Sequence, residues 1–95
     1  MEGCVNVEGR VIFRDDTLLL SLLRFRENGT IHEHAGASDA IVSCLAGSGY
    51  TSVGNDIAPI AEGERVAWPR GVRHRLWTEG STMTTLMVER VTPSD

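Results

Sequence analysis

The chemistry available to this chain is concentrated in its three histidines. His32 and His34 close the segment Gly29-Thr30-Ile31-His32-Glu33-His34, and His74 closes the segment that runs from Gly63 through Pro69 and Gly71. Side chains alternate with period two along an extended strand, so an H-x-H pair presents both imidazoles on one face. A third histidine from a distant strand then completes a facial site for a transition-metal ion. Imidazole ligands without a thiolate suit Fe, Mn, Ni, Cu or Zn, and three protein ligands leave positions open for a Lewis-acid or O2-activating role. The expectation is one divalent transition-metal ion held by His32, His34 and His74.

Such a site needs rigid strands to aim its ligands. No run of ten or more residues keeps a 3.6-residue apolar period; short β-leaning runs recur instead, with turn residues between them. They cover residues 11–13, 17–25, 30–34, 40–45, 50–53, 57–60, 65–68, 74–78 and 82–91. Glu27-Asn28-Gly29 and Ala46-Gly47-Ser48-Gly49 read as turns, and Gly54-Asn55-Asp56 as a hairpin. Pro69 is read as the first central residue of a tight turn, with Gly71 supplying a positive φ. The leucine-rich run at 18–23 is assigned to strand because its neighbours on both sides are β-leaning. About nine strands at regular spacing predict an all-β, antiparallel sandwich or small barrel. The chain reads as a single domain over residues 1–95, with 92–95 as a frayed tail.

Composition narrows the function classes. Net charge is -4, which disfavours nucleic acid as a partner. All nine cationic side chains are arginine, a bias that GC-rich coding explains and that also suits fork-like pairing with carboxylates. No segment approaches the roughly 20 apolar residues that span a bilayer, and the opening residues lack a signal-peptide pattern, so a cytoplasmic protein that does not bind membranes is expected. Cys4 and Cys44 lack C-x-x-C spacing. Cys44, in an apolar run, reads as a buried free thiol, with a disulfide or a thiolate ligand as alternatives the spacing does not support.

The two histidine segments resemble the paired motifs of the cupin superfamily of small β-barrels. Gly63, Pro69, Gly71 and His74 keep every spacing of the second motif, with Thr78 in place of its closing asparagine. His32, His34 and Gly47 fit the first, although Gly29 stands closer to His32 than the motif asks. Fifteen residues lie between Gly47 and Gly63, similar to the short spacer of microbial cupins. The resemblance covers about residues 17–91. It implies an antiparallel jelly-roll β-barrel, a bound metal and a homodimer. The motif's glutamate, the usual fourth ligand, has no clean counterpart. Counting forward from His34 reaches Asp39 and counting back from Gly47 reaches Ala40; a one-residue slip on a strand moves a side chain to the other face. Three histidines with open positions is the preferred site, and Asp39 is the candidate fourth ligand.

The remaining candidates are placed by strand parity. Glu33 lies between two ligands and should point away from them, and Arg73 and Arg75 should point away from His74. Trp68 and Trp77 read as packing residues, and nothing in the sequence puts Tyr50 in a cavity. Two functional classes follow. One is a metalloenzyme, dioxygenase-, isomerase- or lyase-like, acting on a small organic substrate that chelates the metal. The other is a non-catalytic small-ligand-binding or sensing barrel. An inactive barrel that persists as a dimer is a third. Fold alone does not choose among them.

Overall fold

Two strands of this protein are too long to belong to one sheet. The computed structural model describes residues 4–36 and 38–90, apart from the side chain of His34. Its elements are β1 (Cys4–Arg14), β2 (Leu18–Ala35), β3 (Ala40–Val53), β4 (Asp56–Ala61), β5 (Arg65–Trp68), β6 (Arg73–Trp77) and β7 (Met83–Arg90). β2 has 18 residues and β3 has 14, well above the usual five or six of a globular strand. Each crosses from one layer of the sandwich to the other.

In the first layer the order is β1-β2-β7-β3-β5, built on the early halves of β2 and β3. In the second it is β1-β2-β6-β3-β4, built on their late halves. All pairings are antiparallel. The two layers close on a core that includes Leu23, Phe25, Val42, Trp68, Leu76 and Met83. This is the expected all-β jelly-roll barrel.

Seven strands replace the nine expected, and the reason is local. The runs at 17–25 and 30–34 are the two arms of β2, and those at 40–45 and 50–53 are the two arms of β3. The segments read as turns between them are bends inside continuous strands. At the β2 bend Asn28 adopts φ 57°. There the Thr78 hydroxyl donates to the Arg26 carbonyl (2.6 Å) and accepts from the Gly29 amide (2.9 Å), bridging the corner. At the β3 bend Gly47 adopts φ 78°, next to a bulge between Cys44 and Ala46. Glycine and asparagine mark a change of direction equally well whether or not the chain reverses. β1 is also longer than expected, starting at Cys4 rather than Val11; Asn6 at φ 54° interrupts its alternation. Gly54-Asn55 forms the expected hairpin turn, joining Val53 to its partner Asp56. Val91 and the tail 92–95 lie outside the described residues.

The β1–β2 turn is held by Asp15. Its Oδ1 accepts the amides of Thr17 and Leu18, both at 2.8 Å, and the Thr17 hydroxyl at 3.0 Å. These bonds favour the carboxylate and hold Asp15 below its ordinary 3.8. A carboxylate with a lowered folded-state pKa contributes stability above its unfolded value and loses it as pH falls through the folded one. The Tm difference between wild type and Asp15→Ala should therefore be fully present at neutral pH and shrink as pH falls below 3.8. A difference unchanged at acid pH would remove the carboxylate from the account.

Gly47 offers a sharper test. A Cβ there would overlap the Thr82 carbonyl, and the backbone is left-handed. Gly47→Ala should cost about 2 kcal/mol or more, lowering Tm by roughly 8–16 °C in a domain of this size. Thermal unfolding followed by circular dichroism measures it.

Candidate metal centre

The second histidine segment enters β6 through a turn. The Val72 amide donates to the Pro69 carbonyl at 3.2 Å, so the central residues are Arg70 and Gly71, one position later than the sequence reading placed them. Gly71, at φ 78°, is the residue the turn requires to be glycine. Two further bonds tie this turn to the segment that follows the first histidine pair. The Gly71 amide donates to the Gly36 carbonyl at 3.0 Å, and the Arg70 amide donates to Asp39 Oδ1 at 2.8 Å. The exposed Asp39 carboxylate thus anchors the turn that delivers His74.

Register then brings the two segments together. β2 pairs with β6 through Thr30↔Trp77 and Ile31↔Leu76, shifts, and resumes at His34↔His74. The backbone at position 34 lies directly across from that of His74. The shift is an extra residue in β2 between Ile31 and His34, so the regular alternation assumed for H-x-H is interrupted there. Ile31 is buried and His32 is exposed. The side chain of His34 lies outside the described residues. Among the described residues no group of three or more His, Cys, Asp or Glu side chains is gathered closely enough to hold a metal.

His74 itself is built as a ligand would be. It is 4% exposed and stacks on Trp68, with ring centroids 4.0 Å apart and planes 11° from parallel. Trp68 is fixed in turn: its Nε1 donates to Thr51 Oγ1 (3.1 Å), and that hydroxyl donates to the Arg75 carbonyl (3.0 Å). His74 Nδ1 lies 3.2 Å from the Val72 carbonyl. A carbonyl only accepts, so this bond puts the proton on Nδ1 and leaves the lone pair on Nε2. A Cβ on Gly36 would stand 3.0 Å from His74 Cε1 and 3.8 Å from Nε2, so glycine at position 36 lets this segment lie close against the ring. A buried, oriented imidazole with an Nε2 lone pair, opposite a second histidine position, fits a metal.

The other sequence candidates lie elsewhere. Glu33 and Arg73 form an exposed ion pair at 3.7 Å. Arg75 lies 4.4 Å above the Trp77 ring and donates through Nε to Thr30 Oγ1, and Tyr50 stacks on Trp77 with ring centroids 5.8 Å apart. Alternation along β6 puts this group on the face opposite Leu76 and His74. Cys4 and Cys44 are both free thiols. Burial pushes the Cys44 thiol up, with Glu62 and Glu64 adding to the effect. Its Sγ lies 3.4 Å from the Ala46 carbonyl, a thiol's position and not a thiolate ligand's. Sequence reasoning missed the supporting roles of Gly36, Asp39, Thr51 and Thr78. Thr78 carried a signal in its place at the end of the second motif, and Asp39 was singled out by spacing but for a different role.

Neither a protein-family model nor a curated protein matches the sequence. Solved structures do match the fold. A cupin 2 conserved barrel domain protein from Rhodopseudomonas palustris superposes with a TM-score of 0.87 at 21% identity, over 98% of this chain and 66% of that one. A cupin superfamily protein from Desulfitobacterium hafniense gives 0.83 at 15% identity, over 90% and 78%. The chain has the cupin fold. The polyketide cyclase RemF from Streptomyces resistomycificus is a further match, at TM-score 0.86 and 21% identity over 95% of this chain and 68% of that one. Among the described residues of this cupin barrel no helix is long and apolar enough to cross a membrane.

The bracing of His74 is testable without any ligand. Thr51→Val leaves the buried Trp68 Nε1 without its acceptor and should cost about 1–3 kcal/mol. Equilibrium unfolding followed by tryptophan emission reads that loss; unchanged stability would mean the indole finds another partner.

Proposed function

We propose that this cupin barrel binds one divalent transition-metal ion through His32, His34 and His74 and acts as a metalloenzyme on a small organic substrate. The observation that carries the reading is His74, buried, stacked on Trp68, tied at Nδ1 and paired in register with position 34. A bound ion would supply Lewis acidity toward developing negative charge, or a redox centre. The chain's own residues do the rest. Val72 and Trp68 hold the imidazole in one orientation and tautomer, as the outer partners of metal-bound histidines do. Gly36 lets the segment after β2 lie close against the ring. Asp39, bonded to the Arg70 amide, acts as the clamp on the turn before His74, which favours three histidines over a set that includes Asp39. The presence of a protein named as a polyketide cyclase among the fold neighbours supports an enzyme over a passive barrel. The chemistry stays at the level of dioxygenase-, isomerase- or lyase-like.

The test is elemental analysis of untagged protein, comparing wild type with His74→Ala and with His32→Ala/His34→Ala. The expected result is near one equivalent of metal in the wild type and at least a tenfold weaker affinity in each variant. Full stoichiometry and affinity in His74→Ala would sink the three-histidine site. A redox metal with O2 uptake on a substrate panel would support the dioxygenase branch; tight reversible binding without product would replace the enzyme with a binding barrel.

A further inference from the structure

The first layer carries a carboxylate on its inner face, in a strand that belongs to neither histidine segment. Side chains of β7 alternate, and Met83, Thr85 and Met87 face the core. Pairing of β7 with β2 runs from Met83 to Arg90 without a shift, so Glu89 keeps that parity and faces inward too. Its neighbours across the sheet agree. Glu89 pairs with Ala40 and Ala40 with Trp68, and both of those residues are buried. On the other side Glu89 pairs with Leu19. The inner row therefore reads Leu19, Glu89, Ala40, Trp68, and its last member is the ring that lies 4.0 Å from His74.

Both cross-strand neighbours of Glu89 are apolar, and among the described residues its carboxylate has no hydrogen-bond or ion-pair partner. A charge turned inward is costly unless something meets it. Glu89 is half-buried, so a small molecule can still reach it. Its backbone lies two strand spacings from that of Trp68, about 10 Å. The residue between them is alanine, whose single methyl group leaves the wall low between the carboxylate and the stacked indole and imidazole. The next inner row, with Met87 paired to Val42, is apolar.

We propose, resting on the histidine site described above, that Glu89 is the proton-transfer residue of this barrel and that its substrate is a small carbonyl compound with an acidic C–H bond and an apolar body. The substrate lies over Ala40 with its carbonyl oxygen toward His74 and its C–H toward Glu89. The carboxylate takes the proton; the C–H bonding pair becomes the new C=C bond, and the carbonyl π pair moves onto oxygen. A base on one side and charge stabilisation on the other is what such a bond requires. Return of the proton to a different carbon completes an isomerisation, and departure of a group with its bonding pair from the next carbon completes an elimination. Glu89 therefore selects the isomerase- or lyase-like branch over oxygenation.

The test uses the full-length protein loaded with zinc, which is redox-inert, and compares wild type with Glu89→Gln and Glu62→Gln. Glu62 is an exposed carboxylate in the turn before β5, so its variant makes the same charge change away from the site. Two probes, 2-oxobutanoate and 4-methyl-2-oxopentanoate, are followed by proton NMR in D2O for exchange at the carbon beside the ketone. Wild type and Glu62→Gln should catalyse exchange, and Glu89→Gln should lose at least about a hundredfold while keeping its zinc. Calorimetry with oxalate, a planar dianion that copies the charge of an enolate, gives a readout without turnover. Glu89→Gln should bind oxalate roughly tenfold tighter than wild type, because a facing carboxylate no longer repels it, and Glu62→Gln should match wild type. Zinc-loaded wild type that exchanges neither probe overturns the proposal, as does unchanged exchange or unchanged oxalate affinity in Glu89→Gln. Loss of zinc from Glu89→Gln would make Glu89 a ligand and overturn its role as a base. A wild type that binds no zinc overturns the histidine site itself, a failure distinct from the others.

Discussion

The structure depends on two strands changing layers without breaking. β2 and β3 each pair with β7 through their first halves and with β6 through their second. Every backbone group at a corner must still find a partner, because a buried unpaired amide or carbonyl is costly. At the β2 corner Thr78 answers this with a donor and an acceptor on one hydroxyl, and the Thr78 amide also donates to the Gly29 carbonyl at 2.8 Å. At the β3 corner the Ser48 amide donates to the Thr82 carbonyl at 3.1 Å, an approach that only glycine at position 47 permits. The bends set how far the late half of β2 reaches across β6, and so where position 34 meets His74.

The candidate site is the downstream end of that arrangement. Its rigidity comes from short links between segments distant in sequence. Gly36 and Asp39 clamp the Pro69–Val72 turn, Thr51 pins Trp68, and Trp68 lies flat against His74. None of these residues has to touch a ligand. They restrict the rotation of one imidazole, as a scaffold does when it turns a flexible side chain into a directed one.

The same strands have an outside. Alternation that puts Leu23 and Val42 in the barrel puts Leu22 and Ile41 on its surface, and the two faces serve different purposes. The inner face closes the barrel around His74; the outer face leaves Ile41 exposed.

The sequence by itself determined the all-β class, the antiparallel barrel and the hairpin at Gly54-Asn55. Those features follow from local periodicity, turn chemistry and motif spacing, which a linear string records directly. Three things were decided only by tertiary structure. Glycine and asparagine at 27–29 and 46–49 bend strands and do not end them, because whether a chain reverses at such a residue depends on the partners waiting beyond it. The register between β2 and β6 carries an extra residue between Ile31 and His34, and a bulge leaves no mark in composition. Asp39, which spacing offers as a metal ligand, bonds the Arg70 amide, 31 residues away along the chain. A hydrogen bond across that separation exists only once the barrel has closed.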